Sequence, residues 1–234
     1  FELLVKEGDI RKKEVLAIFG PNATGKTTFA KILAGELEAD EGEISSKIKI
    51  SYKPQYLQTN FLGTVRELLS SVMNIEKDEF KFKIIRPLEL DKLLEREVPT
   101  LSGGELQRVA VALCLSREAD LYLLDEPSAF LDIEQRLNLA KMVNRLVEKE
   151  EKSVMVIDHD LLFLSQVGNR GMAFLGEPGK KGMVEKVLKI KEAFNLFLKE
   201  VGITFRKDPR TGRPRANKIG SWLDTNQKEK GEYF

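Results

Sequence analysis

Gly20-Pro21-Asn22-Ala23-Thr24-Gly25-Lys26-Thr27 fits the pattern G-x-x-x-x-G-K-[ST]. The chemistry of that spacing is the cradling of phosphate. Glycines let the backbone wrap an anion closely. The amides and the positive end of a following helix then face the negative charge. In such a loop Lys26 reaches the β- and γ-phosphates of a nucleoside triphosphate and the Thr27 hydroxyl ligates Mg²⁺. Gly20, Asn22, Ala23, Thr24, Gly25 and Thr28 complete the candidate binding segment. A second chemical feature is the acidic pair Asp125-Glu126. Asp125 can hold Mg²⁺ through water, and Glu126 can orient or deprotonate an attacking water.

These groups need elements to position them. The loop lies between an apolar run at 15–19, short as a buried parallel strand is, and a helix at 27–34 carrying Phe29, Ala30, Ile32 and Leu33. The acidic pair follows a second apolar run, 121–124. A third, 154–157, ends at Asp158-His159, and a fourth is expected at 171–175. An amphipathic helix is expected at 133–148. Strands alternating with helices make a parallel, doubly wound sheet, and ligands of such sheets bind at the carboxyl ends of the strands. The loop and the acidic pair should therefore face each other.

Residues 1–5 read as a further strand, followed by a turn at Glu7-Gly8-Asp9. Ile44, Ile48, Ile50 and Tyr52 alternate as a strand does, ending at Pro54-Gln55. From 64 to 119 the texture is helical. Thr64 with Glu67 forms a capping box, ahead of a stripe of Val65, Leu68, Leu69 and Val72. A second stripe runs through Phe80, Phe82, Ile84 and Ile85 to Pro87, and Ser102-Gly103-Gly104 opens another helix. The expected division is an α/β core at 1–58 and 120–190, a helical subdomain at 59–119 and a C-terminal extension at 191–234.

Composition narrows the class. The chain has 234 residues, 42% apolar and 32% charged, with a net charge of +1, so no global field selects a polyanion. Residues 205–218 hold six Lys/Arg and one Asp, a local excess of basic charge. Cys114 is the single cysteine and His159 the single histidine, which excludes a zinc or iron–sulfur site built from this chain. The longest stretch without charge, 54–65, is 12 residues and too short to span a membrane. No signal peptide is visible, and the lone cysteine fits a reducing, cytoplasmic setting. The first residue is Phe, so the chain is expected to be a piece of something longer.

Leu101-Ser102-Gly103-Gly104-Glu105-Leu106-Gln107-Arg108 resembles the LSGGQ-type signature of ATP-binding-cassette (ABC) ATPases. Ser128-Ala129-Phe130-Leu131-Asp132 is similar to their D-loop. Gln55 stands where the Q-loop glutamine should, and His159 where the switch histidine should. The resemblance covers roughly 15–160. It implies an ABC-type P-loop NTPase: a mostly parallel sheet with a β-rich N-terminal part, an inserted helical subdomain and a hinge-like C-terminal extension. It also implies that two cassettes close head to tail around two ATP molecules. Ser102 and Gly104 then face the γ-phosphate held by the other cassette's loop, and Asp132 works across the interface. Gln55 senses Mg²⁺ with Thr27 and Asp125, and His159 joins Glu126 in catalysis. Two departures are Ala23, where many members have Gly, and Glu105, where many have Gln. The adenine-stacking aromatic is open between Phe1, Phe19 and a residue ahead of the chain.

The other end resembles a narrower group. Residues 205–209 and 213–218, Gln227-Lys228 and 231–234 are similar to the C-terminus of the RNase L inhibitor family, as are Tyr52-Lys53-Pro54-Gln55 and 174–179. That family is the twin-cassette ribosome-recycling ATPase of archaea and eukaryotes. The resemblance implies its second cassette, with the small ribosomal subunit and its rRNA, a termination or rescue factor and a second cassette as partners, and no membrane. The tail is expected to be ordered, anchored by Phe205 and Trp222, with Pro209 and Pro214 opposing regular structure. An ABC transporter's ATPase subunit shares every core motif but has no reason for the tail. Only 75 residues separate Lys26 from Ser102, too few for the coiled coil of a DNA-repair ATPase. A nucleotide-gated scaffold with little turnover would not need Glu126.

Overall fold

The computed structural model describes residues 1–44, 48–56, 60–208 and 214–234, with the backbone alone at Lys207. Its centre is a six-stranded sheet in the order β3 (Ile50–Lys53), β4 (Leu121–Asp125), β5 (Ser153–Ile157), β2 (Val15–Phe19), β6 (Arg170–Ala173), β9 (Leu188–Lys189). The first five are parallel and β9 is antiparallel to β6. Every residue of β2, β4 and β5 is buried, because both faces of the sheet are covered. Alternate side chains serve the two faces. Val15, Ala17 and Phe19 join one cluster with the helices α4 (Gly103–Ser116), α5 (Ile133–Glu150), α6 (Leu161–Val167) and α7 (Ile190–Val201). Leu16 and Ile18 join the other, with Ala30 of α1 (Lys26–Leu33) and Val184.

Val184 belongs to a second, smaller sheet, β1 (Glu2–Val5), β8 (Lys181–Val184) and β7 (Leu175–Glu177), in the order β1-β8-β7. The β-rich part is thus assembled from both ends of the chain, not from the N-terminal stretch alone. The strand expected at 171–175 is two strands, β6 and β7, in different sheets. Strand β3 spans only Ile50–Lys53; Ile44 and Ile48 are exposed, and 45–47 lie outside the described residues. The turn falls at Lys12-Lys13 rather than at 7–9, where Asp9 instead pairs with Arg170 at 2.8 Å.

The helical subdomain carries α2 (Val65–Ser70), α3 (Asp78–Phe80), a π-helical turn at Lys81–Ile85 and a 3₁₀ turn at Val98–Thr100. The Thr64–Glu67 capping box is present. Phe80, Ile84 and Ile85 are buried as expected, but Phe82 points outward under the Arg86 guanidinium, 4.2 Å from its ring centre. The π turn shifts the helical phase, so the stripe read at 3.6-residue spacing drops one member. Cys114 is a core residue, and burial pushes its thiol up to about 11. Among the described residues no helix is long and apolar enough to cross a membrane.

The described part of the C-terminal extension packs against the core. Phe19, Phe194 and Phe234 form a ring ladder with centroid spacings of 4.7 and 4.8 Å, and Phe205 sits 6.3 Å from Phe234. Asn195 Oδ1 accepts hydrogen bonds from the Tyr233 and Phe234 amides, both at 2.8 Å. The basic segment folds as an antiparallel ribbon, β10 (Phe205–Lys207) and β11 (Pro214–Ala216), contrary to the expectation of irregular structure. Pro214 is tolerated because it opens an edge strand. Pro209 and Arg213 lie outside the described residues. The other surprise is Trp222, which opens α8 (Trp222–Lys230) and is 75% exposed, so it anchors nothing within this chain.

Asp224 of α8 is the buried polar tie of this region. It accepts from the Thr204 hydroxyl at 2.7 Å, the Gly220 amide at 2.9 Å and the Lys228 ammonium at 2.9 Å. Those donors hold its carboxyl down to about 2. A depressed pKa contributes stability that is present above the ordinary carboxylate range and is lost as pH falls through the folded value. Asp224→Asn is therefore expected to melt below the parent at neutral pH, with the gap closing as pH drops from about 4 towards 2. Thermal melts across that window check this; a gap independent of pH would contradict it.

Candidate active site

Four parallel strands end on one edge, and each delivers a chemical group there. β2 delivers the phosphate loop, β3 Gln55, β4 Asp125-Glu126 and β5 Asp158-His159. β4 is not beside β2, since β5 lies between them. The acidic pair nonetheless meets the loop, because α1 carries Thr27 across: its hydroxyl donates to Asp125 Oδ2 at 2.8 Å.

The loop is shaped by close contacts. At Gly20 a β-carbon would lie 2.1 Å from the Phe174 carbonyl oxygen, so no other residue fits. Ala23 adopts φ 59°, the left-handed conformation of the glycine it replaces, at a cost of roughly 1–2 kcal/mol. Its carbonyl accepts from the Gly179 amide at 2.8 Å. Thr24 is buried and its hydroxyl donates to Pro21 O at 2.8 Å, while Asn22 is exposed and Thr28 half-buried in the first turn of α1. Lys26 folds over its own loop, donating to Gly20 O at 3.0 Å and Pro21 O at 2.7 Å. Burial lowers its pKa, against the opposing pull of Glu126 and Asp125.

Asp125 is fully buried, and burial raises its pKa despite the Thr27 hydrogen bond. Its Oδ1 is buried with no hydrogen-bond partner. An orphaned carboxylate oxygen beside a threonine hydroxyl suits a hard divalent cation or its water. Among the described residues no group of three His, Cys, Asp or Glu could hold a metal alone. The donor set fits Mg²⁺, which takes few carboxylates and completes its shell with water and substrate phosphates.

Glu126 has φ 49°, a left-handed conformation that costs a non-glycine residue of order 1–3 kcal/mol. Its Oε1 lies 3.2 Å from His159 Nε2. His159 is held between two structural carboxylates. Buried Asp158 accepts from the Ser128 amide and hydroxyl at 3.1 and 2.9 Å. Asp160 caps α6 and pairs with Arg136 at 2.8 Å. Asp158 thereby ties the strand-end histidine to the loop that precedes Asp132, a link no motif announced.

Ser102, Gly104 and Asp132 are not brought to the phosphate loop: among the described residues no hydrogen bond or ion pair joins them to it. Ser102 caps α4 in a capping box with Glu105, and Asp132 caps α5 with Gln135. A β-carbon on Gly104 would stand 2.8 Å from the Phe130 carbonyl oxygen, so the glycine is required for packing between the signature and the D-loop. Gln55 is half-buried just beyond β3. Of the aromatic candidates, Phe19 is committed to the core, whereas Phe1 is 64% exposed, with its ring over Gly25.

Lys53 and Gln107 were not singled out from the sequence. Lys53 is 1% exposed; burial pulls its ammonium down to about 8, and it donates to Asp125 O at 2.8 Å and Pro54 O at 3.0 Å. Gln107 Nε2 donates to Glu126 O. The one visible signal was a lysine at the end of a short strand, two residues ahead of Gln55.

Comparison with known proteins agrees with this geometry. A translation initiation factor RLI1 of Saccharomyces cerevisiae is 40% identical over the whole chain, which covers 39% of that protein. An uncharacterized ABC transporter ATP-binding protein of Methanocaldococcus jannaschii is 56% identical, again over the whole chain and 39% of its own length. The crystal structure of archaeal ribosomal stalk protein aP1 with archaeal ribosome recycling factor aABCE1 contains a chain matched at TM-score 0.91 and 52% identity, covering 99% of this chain and 45% of that one. A model of ribosome-bound archaeal Pelota and ABCE1 gives TM-score 0.93 and 49% identity, covering 99% and 39%. The chain thus spans about two fifths of the curated relatives it matches. The family model described as ABC transporter matches residues 6–129, more than half of the chain, and the protein belongs to the ABC family as a nucleotide-binding ATPase cassette.

Proposed function

We propose that this cassette binds and hydrolyses Mg²⁺–ATP within a ribosome-recycling factor, closing on a second cassette to separate ribosomal subunits. The observation that carries the hydrolytic part is the Thr27–Asp125 contact with its orphaned Asp125 Oδ1, next to Glu126 and His159. The loop amides and Lys26 hold the phosphates, and Phe1 offers a face to adenine. Thr27, Asp125 and Gln55 hold Mg²⁺, which when bound neutralises phosphate charge and orients the γ-phosphate. Glu126 takes a proton from the attacking water, and His159 steadies Glu126 and contacts the γ-phosphate. Ser102, Gly104 and Asp132 serve the site on the partner cassette, which agrees with their distance from this chain's own loop. Residues 1–58 and 120–190 act as the nucleotide-binding core, 59–119 as the signature-bearing arm and 191–234 as the hinge-like extension.

The ribosomal part rests on whole-chain likeness to ribosome-associated relatives, extending through the tail. A transporter's ATPase subunit would have no use for that tail, and a nucleotide-gated scaffold with little turnover would not need Glu126. The partners are the small subunit with its rRNA and a termination or rescue factor, in the cytoplasm. Arg215 is 60% exposed at its side chain and pairs with Asp208 at 3.2 Å, so its exposed side is accessible to RNA phosphate. Arg213, outside the described residues, is its expected companion. Replacing both by Ala should weaken association with ribosomal subunits and flatten its dependence on salt, since fewer phosphate contacts release fewer counterions. Co-sedimentation with purified subunits, with and without a nonhydrolysable ATP analogue, tests this. Association unaffected by the analogue, or an unchanged salt slope in the double variant, would count against the ribosomal reading.

A further inference from the structure

We infer that Lys53 and Gln107 are positioning residues that fix the backbone of Glu126 from either side in sequence, and so set the aim of its carboxylate. This rests on the reading of Glu126 as the catalytic base. Glu126 occupies left-handed backbone space at φ 49°, which a β-carbon disfavours. A peptide under such strain relaxes unless its polar groups are held. All three nearby groups are held. The carbonyl before it, Asp125 O, accepts from Lys53 Nζ at 2.8 Å. Its own amide donates to Ile157 O at 2.7 Å. Its own carbonyl accepts from Gln107 Nε2 and, at a longer 3.3 Å, from the Ala129 amide.

The Ile157 bond continues the sheet and is expected there. The other two come from side chains placed at a cost. An ammonium 1% exposed with no carboxylate bonded to it is expensive to bury, and a methionine would fill the same space without that penalty. Gln107 likewise spends a buried amide, 6% exposed, on a single carbonyl. Neither side chain hydrogen-bonds the Glu126 carboxylate, so both act through the backbone. Rotation about that backbone would carry the carboxylate away from His159, 3.2 Å distant. Lys53 also grips Pro54 O, one residue before Gln55. Gln107 lies on α4, the helix that Ser102 caps. The Q-loop strand and the signature helix are thereby joined to the base of the chain's own site.

The test uses the chain paired with its second cassette and turning over ATP. Lys53→Met and Gln107→Met are each expected to lower kcat by about 10- to 10²-fold, with KM for ATP little changed because the phosphate ligands are untouched. In a Glu126→Gln background neither should lower the residual turnover further, since there is no base left to aim. Damage to folding would lower both backgrounds by the same factor, and that result would overturn the inference. So would kcat within twofold of the parent in either Met variant. Melting curves establish folding first. Gln107→Glu, equal in size but lacking the donor, stands in for an unfolded Gln107→Met; Lys53→Gln does so for Lys53→Met. Parent-like turnover in Glu126→Gln itself would instead remove the base assignment, whatever the positioning variants do.

Discussion

Glu126→Gln is expected to leave ATP binding intact and to reduce turnover by about 10²-fold or more, the usual loss for a positioned acid–base group. The amide keeps the size and shape of the carboxylate, so the left-handed backbone at 126 and the hydrogen bonds that hold it are preserved. What disappears is the acceptor for the water's proton. Nothing in the phosphate loop changes: Lys26 is held by Gly20 and Pro21, and Thr27 by Asp125. The 3.2 Å contact to His159 can persist, because the amide oxygen takes the place of the carboxylate oxygen. Nucleotide titration alongside a phosphate-release assay reads both quantities. Turnover at the parent rate would mean that Glu126 is not the base.

Ser102→Arg should abolish productive pairing with the second cassette, and with it hydrolysis, while the chain's own loop still binds ATP. The physical reason is placement. Ser102 caps α4, and beyond the Glu105 amide that it takes, the first-turn amides of Gly103 and Gly104 have no intrahelical partner. A guanidinium there fills the space that a facing γ-phosphate must enter. The structure adds a complication absent from the motif: the Ser102 side chain also accepts from the Glu105 amide. Losing that cap costs about 1 kcal/mol. α4 should persist, because its residues from Gln107 to Ser116 are buried. Ser102→Asp separates the two effects, since it retains a cap and places like charge against the phosphates. Both variants should lose hydrolysis, and only the Arg variant should melt lower. Loss of ATP binding in either would mean that Ser102 acts in its own site.

The sequence by itself determined the site's parts list. Strict local rules write the phosphate loop, the acidic strand end and the capped signature helix into short spans, because anion binding at a helix N-terminus needs only neighbouring residues. The buried strands were legible for a similar reason: a parallel strand covered on both faces reads as a near-continuous apolar run, as β2, β4 up to Asp125 and β5 after Ser153 do. What periodicity could not supply was order. That β5 separates β4 from β2, that β1 pairs with β8, and that β10 pairs with β11 are decided by pairing between segments, to which local spacing is blind. Phe82 and Trp222 read as apolar anchors and are exposed, because exposure depends on which neighbours arrive. Ser102, Gly104 and Asp132 carry family motifs, yet within this fold they cap helices and admit close packing. Only the tertiary structure set Lys53 against Asp125, Gln107 against Glu126 and Asp158 against Ser128. The partners of each pair lie far apart in sequence, and each pair gives a buried polar group a hydrogen bond that no local rule supplies.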